Sequence, residues 1–205
     1  GRMLIRKDGS EIAAELRNRI CMMQSATETI TLHEGALATE FGVSRTPIRQ
    51  VLQKLAYERL VETRSGVGTI VSPLNPDNRD RDVLVLKALF EAAAICGRGE
   101  DVSPLLRERL VVAEAISEAT DPSKDSYLEL RVQLLDLSAS AVADDILSDA
   151  LRAAHWRHIR WRMSENAWSE PEAQNRLHDT LVACVAAARK NDLGGVYKEL
   201  SDRLV

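Results

Sequence analysis

Aromatic side chains are scarce: three Trp, three Tyr and two Phe in 205 residues. A core built by this chain must therefore be aliphatic, and at 45% hydrophobic content there is enough material for one. Cysteine is scarce too. Cys21, Cys96 and Cys184 are far apart, odd in number and set in apolar helical contexts, which excludes a disulfide framework and reads as buried free thiols in a reducing cytoplasm. Long apolar runs are missing: Leu181 to Ala188 is the densest and falls well short of the roughly 18 residues a membrane span needs. Arg6, Lys7 and Asp8 lead into an amphipathic segment rather than the apolar stretch of a secretory signal, and Gly1 and Arg2 before Met3 read as an expression remnant. Absent as well are a nucleophile elbow, a P-loop, a glycine-rich dinucleotide fingerprint and a His-Glu-x-x-His pair, so nothing points to an enzyme or to a bound cofactor.

The few prolines are informative by position. Ser72-Pro73-Leu74-Asn75-Pro76-Asp77-Asn78 carries two of them and reads as a linker, dividing the chain into residues 1–73, a connection over 74–82 and residues 83–205. Net charge is −4, but residues 1–78 hold 10 basic against 9 acidic side chains, leaving the acidity to the remainder. A local basic patch on the first part is compatible with that balance.

Before the linker, Ile12, Leu16 and Ile20 mark a helix over about Ser10–Met22, N-capped by Ser10. A second spans about His33–Phe41 and stops at Gly42. A third starts at Ser44, tolerates Pro47 in its first turn and buries Ile48, Val51, Leu52 and Leu55. Two β-prone runs, Val61–Arg64 and Thr69–Val71, flank Ser65-Gly66-Val67-Gly68 as a hairpin. After the linker the pattern is helical throughout, near Leu84–Cys96, Ser103–Thr120, Ser126–Ser138, Ala143–Glu165, Pro171–Lys190 and Gly194–Leu204. Short loops make an antiparallel bundle the natural packing. The expected fold is mainly α: an N-terminal winged helix-turn-helix followed by an all-helical antiparallel bundle.

The chemistry sits on the third helix. Arg45, Arg49 and Gln53 follow one another at helical spacing, with Thr46 and Gln50 beside them, on a face separate from the apolar stripe. A guanidinium fork matches guanine O6 and N7, and a glutamine amide matches adenine. Ser44, Thr46 and the helix N-terminus offer donors to a phosphate, and Gly66 at the hairpin tip permits close backbone approach. Surface arginines are usually only solvated. Here the turn, the cap, the hairpin and the side-chain face agree on double-stranded DNA.

Residues 32–52, including Val43-Ser44-Arg45-Thr46-Pro47 and then Ile48-Arg49, resemble the DNA-binding signature of the GntR family of transcriptional regulators. The likeness runs through Leu60-Val61 and the Gly66-Val67-Gly68 tip. It implies that Arg45 and Arg49 contact bases or phosphates, that Gly66 reaches the minor groove, and that a homodimer reads an operator as a cytoplasmic repressor. Two positions depart: Gln50 replaces the usual Glu, and Arg59 replaces the usual Gly at a left-handed helix end, at a cost of about 1 kcal/mol.

The second half is similar to the FCD ligand-binding domains of the FadR-like subfamily, with Lys87 and Glu91 matching its Arg-x-x-x-Glu loosely. The resemblance implies a metabolite site, often a divalent metal that helps to hold a carboxylate. The corresponding slots read Glu129, Gln133, His178 and Arg203, of which His178 alone keeps the ligand type, so the expectation is an organic-acid effector without a metal. The plainer reading of His178, and the preferred one, is an ordinary helix histidine. Leu147, Leu151, Ala154, His158 and Trp161 form an inward stripe, making His158 a further effector candidate or simply part of a capped core. A DNA-binding dimer with a non-sensing helical domain, and a metal-dependent sensor, stay open as alternatives.

Overall fold

The computed structural model describes residues 7–205. Gly1, Arg2, Met3 and Arg6 lie outside them. Among the described residues there are nine α-helices and one three-stranded antiparallel sheet. The first module runs α1 (Gly9–Met22), β1 (Ile30–Leu32), α2 (Glu34–Phe41), α3 (Arg45–Tyr57), β2 (Val61–Arg64) and β3 (Gly68–Val71). The cap of α1 is Asp8, not Ser10: its carboxylate accepts from the Glu11 amide at 2.8 Å, a charged acceptor where the helix dipole favours one. Gly42 takes the left-handed conformation that closes α2, with φ 66°. Arg59 does the same after α3 at φ 62°, and Leu60 N–H then reaches the Leu55 carbonyl at 3.0 Å. That is a Schellman end made without glycine, so the strain foreseen for Arg59 is present.

The hairpin β2–β3 falls where the two β-prone runs lie, pairing Val61 with Val71 and Arg64 with Gly68. The strand β1 is an addition. Ile30 pairs with Val71 and Leu32 with Thr69, so β3 is central and the order is β1-β3-β2.

A 3-10 turn at Pro76–Asn78 leads directly into α4 (Arg79–Cys96), so the helix begins inside the segment expected to be linker to residue 82. Then come α5 (Pro104–Ala119), α6 (Lys124–Ser140), α7 (Asp145–Ser164), α8 (Ala173–Arg189) and α9 (Leu193–Arg203). Their caps are local and ordinary: the Ser103 hydroxyl accepts from the Leu106 amide, and Ser123 and Ser126 form a reciprocal capping box. The core is continuous across both parts and dominated by Leu, Ile, Val and Ala, with Phe90 and Trp156 among its few aromatics. Cys21 and Cys184 are buried as expected. Cys96 is exposed. The buried face of α4 runs Leu86, Phe90, Ala93, and Cys96 falls off it.

The helix α7 faces both ways. Trp156 packs toward the first module, while His155 and His158 face α6. Arg160 of α7 donates to the Ser72 carbonyl at 2.6 Å, and Trp161 clusters with Ala26 and Leu74. No helix among the described residues is long and apolar enough to cross a membrane.

Candidate functional site

Ile48 and Leu55 of α3 are fully buried, and Val51 and Leu52 nearly so. That anchors one side of the helix to α1 and α2 and turns the other to solvent. Ser44, Arg45, Thr46, Arg49, Gln50 and Gln53 are all exposed, the arrangement a groove-reading helix needs. Ser44 occupies the N-cap position with no hydrogen bond from its side chain, which leaves the hydroxyl available to another acceptor or donor. The Arg49 Nε lies 2.8 Å from Glu34 of α2, an exposed pair that holds the guanidinium level with the start of the helix. Arg45 folds back over Gly35. At the hairpin tip Gly66 is exposed at φ 77° with open space around it, and Val67 beside it is also exposed.

The far end of α3 is tied to the bundle. Glu58, buried at its C-cap, accepts from Arg17 of α1 at 2.8 Å and from the Trp156 indole at 3.2 Å. The Arg17 guanidinium also sits over the Trp156 ring, 5.8 Å from its centre. A cleft of about 900 Å³ opens beside this junction, lined among others by Lys54, Glu58, Arg109, Arg152 and Trp156.

The residues singled out in the helical part do not come together. Glu129 and Gln133 line the cleft at the junction. His178 lies on α8, where its Nδ1 is 2.9 Å from the Ser117 hydroxyl of α5. Lys87 ties α4 to α9, donating to the Ser201 carbonyl at 2.8 Å, and Glu91 is close to the same serine. His158 and Arg203 line a second cavity, one of about 310 Å³ bounded by α4, α6, α7, α8 and α9. The Arg203 side chain is held by Glu199 at 2.6 Å. The physical reason is helical phase: Glu129 and Gln133 lie two residues out of step with Tyr127 and Arg131, which face the bundle interior. Arg131, missed from sequence, is 1% exposed. It sits on the stripe Tyr127, Arg131, Leu134, Ser138, and its place within that stripe was the available signal.

A divalent metal of the kind the FCD resemblance implies does not fit here. Among the described residues no three His, Cys, Asp or Glu side chains converge. The cavity places the Tyr127 hydroxyl and the Arg131 guanidinium beside His158, and a guanidinium has no lone pair to give. His155 and His158 are held neutral, well below the usual imidazole range, by burial first and by Arg131 second.

Residues 9–71 match the family model described as bacterial regulatory proteins of the gntR family. A regulator from Streptomyces ambofaciens, named an uncharacterized HTH-type transcriptional regulator in an unstable DNA locus, is 32% identical over 110 residues, 52% of this chain and 46% of its own. The gluconate operon transcriptional repressor of Bacillus licheniformis is 47% identical over 53 residues, 26% of this chain and 21% of its own. The chain thus spans less than half the length of these curated relatives. Among solved structures, E. coli McbR/YncC superposes with a TM-score of 0.65 over 94% of this chain and 93% of the other at 17% identity, a likeness of fold in both parts. The match falls on the helices and hairpin that present Arg45, Arg49 and Gly66. Over residues 9–71 this chain is similar to the gntR family of bacterial regulatory proteins.

Proposed function

We propose that the chain is a sequence-specific, DNA-binding transcriptional repressor of the cytoplasm, acting as a homodimer, whose FCD-type helical domain binds a small carboxylate to alter DNA binding. One observation carries it: Arg45, Thr46, Arg49, Gln50 and Gln53 stand exposed on α3, opposite a fully anchored apolar face and beside a glycine-tipped hairpin. Arg45 and Arg49 read guanine edges or phosphates, Gln50 and Gln53 read base edges, and Ser44 and the helix N-terminus hold a phosphate. Gly66 follows the backbone into the minor groove. One recognition helix reads only a few base pairs, so two half-sites, and hence two copies, supply the specificity. Resemblance to a named repressor supports the sign of regulation.

The exposed aliphatic side chains Leu105, Val112 and Ile116 on α5 offer a surface for the second copy. The polar cavity at His158 favours a sensing domain over a purely dimerising one, and its donor set favours an acid over a metal.

Selection of binding sequences from a random duplex pool tests this reading. A two-fold symmetric motif is the expected product. No enrichment, or a motif without symmetry bound by a monomer, would overturn it.

A further inference from the structure

Arg131 carries a charge that nothing in the fold balances. Its Nη2 donates to His158 Nδ1 at 2.7 Å and approaches His155 Nε2 at 3.4 Å, and its Nη1 points to the Tyr127 hydroxyl at 3.3 Å. Its Nε is buried without a partner. Every one of these acceptors is neutral, and a guanidinium stays charged in proteins. Among the described residues no carboxylate pairs with it.

The other four arginines of the cavity differ. Arg79 pairs with Glu165 at 2.6 Å, Arg162 with Glu165 at 3.2 Å and with Glu170 at 3.3 Å, Arg176 with Glu170, and Arg203 with Glu199. No Asp or Glu lines the cavity itself. Five guanidinium groups thus face three glutamates, Glu165 and Glu170 being shared, and the one of the five with no carboxylate partner at all among the described residues is Arg131, where burial makes it expensive.

Resting on the reading that the helical domain senses a small acid, we infer that this cavity takes a small carboxylate directly on Arg131, with no metal between them. The two oxygens of a carboxylate match the guanidinium fork, and a charge-assisted pair in a low-dielectric site is strong. Two further donors are at hand. His158 accepts at Nδ1, so as a neutral ring it carries its proton on Nε2; the Tyr127 hydroxyl accepts from Arg131 and keeps its own proton to give. Val83 and Leu177 supply apolar wall for a short carbon skeleton, and about 310 Å³ suits a small acid. An inorganic phosphate would satisfy the charge but not the apolar wall. The helix α7 carries His158 on the cavity side and Trp156 on the side that holds α3, so occupancy bears on the element gripping the DNA module.

The test uses the full chain with chelator present, titrated with sodium succinate or inorganic phosphate against sodium chloride of equal ionic strength. Succinate is expected to raise the melting temperature by about 5 °C near saturation, and phosphate by less. Arg131→Met should abolish the succinate shift while melting no lower than wild type, because the buried charge leaves with its cavity partner. Arg131→Lys, which keeps the charge but loses the fork, should bind at least tenfold more weakly and stands in should the Met variant fold poorly. Arg109→Ala, in the junction cleft, should leave the shift unchanged. A shift that survives Arg131→Met, one abolished by Arg109→Ala, a phosphate shift larger than the succinate shift, or no response to either anion would each overturn the inference. The same wild-type sample is assayed on the selected duplex. DNA binding that persists without an anion response removes this pocket alone, whereas no DNA binding at all removes the regulator reading.

Discussion

The indole of Trp156 donates to the Glu58 carboxylate at 3.2 Å, so a helix of the C-terminal bundle grips the end of α3. Glu58 is 6% exposed and completes its partners with Arg17 of α1. Three elements meet at one buried carboxylate. This contact joins α7 directly to α3.

Removing the carboxylate leaves Arg17 and Trp156 as unmatched donors at the junction. Glu58→Ala is expected to cost about 3 kcal/mol of stability, as for other broken buried pairs. Trp156→Phe, which leaves the Arg17–Glu58 pair in place, should cost about 1 kcal/mol for the hydrogen bond. Denaturant unfolding of the two variants checks the order. Equal effects would mean that the ion pair contributes nothing beyond the indole contact.

Stability should fall as pH drops from about 6.5 toward 5. His155 and His158 are held neutral in the fold, by burial and then by Arg131, with Arg152, Arg162 and Arg79 adding to the repulsion, while in the unfolded chain both titrate near 6.5. Below that pH the unfolded state binds protons that the folded state refuses, so the loss begins at the unfolded value and continues down to the depressed folded one. Tyr127 is the remaining polar side chain at this cluster. Asp136, where burial pushes up but Arg109 and Arg152 together outweigh it, and Glu165, held by Arg79, both lie below the usual carboxylate range, so their contribution is lost only at more acid pH. His158→Gln should flatten the slope between pH 6.5 and 5 in thermal melts. An unchanged slope would show that this ring is not held neutral.

The donor set at Arg131 also fixes an expectation about metals. Protein purified without added metal should contain no stoichiometric zinc, nickel or manganese, and chelator should leave DNA binding unchanged. Elemental analysis finding close to one transition metal per chain would contradict this.

The aliphatic side chains exposed on α5 give a separate expectation. Val112 is 50% exposed and Leu105 64%. Val112→Glu should shift sedimentation from dimer to monomer and weaken duplex binding, because an interface core does not tolerate an unpaired charge. A Val112→Glu protein that stays dimeric would place the interface elsewhere.

Much of this arrangement is legible in the residues. Ser44, Pro47 and the Ile48–Leu55 stripe place α3 correctly because its signals are local, and Gly42 marks the end of α2 for the same reason. The strand β1 was not legible. Its three residues pair with β3, some forty positions away, and carry no turn residue of their own. Glu129 and Gln133 face the junction cleft and not the His158 cavity, a separation hidden in the sequence because α6 is buried on most of its circumference and hydrophobic periodicity says little about which face looks where. Arginine is rarely buried, and that expectation hid Arg131 in a stripe with Tyr127, Leu134 and Ser138. Cys96 was misread as buried because the last turn of α4 is apolar on its solvent side as well.

The most direct measurement is duplex binding by Arg45→Ala and Arg49→Ala, followed by fluorescence anisotropy on the sequence recovered by selection. Each change should weaken binding by about 1–3 kcal/mol where the guanidinium is bidentate to a base, with the fold unaffected because both side chains are exposed. Wild-type affinity should also fall steeply as salt is raised. Undiminished affinity in both variants, with no salt dependence, would contradict the account and place some other face against the DNA.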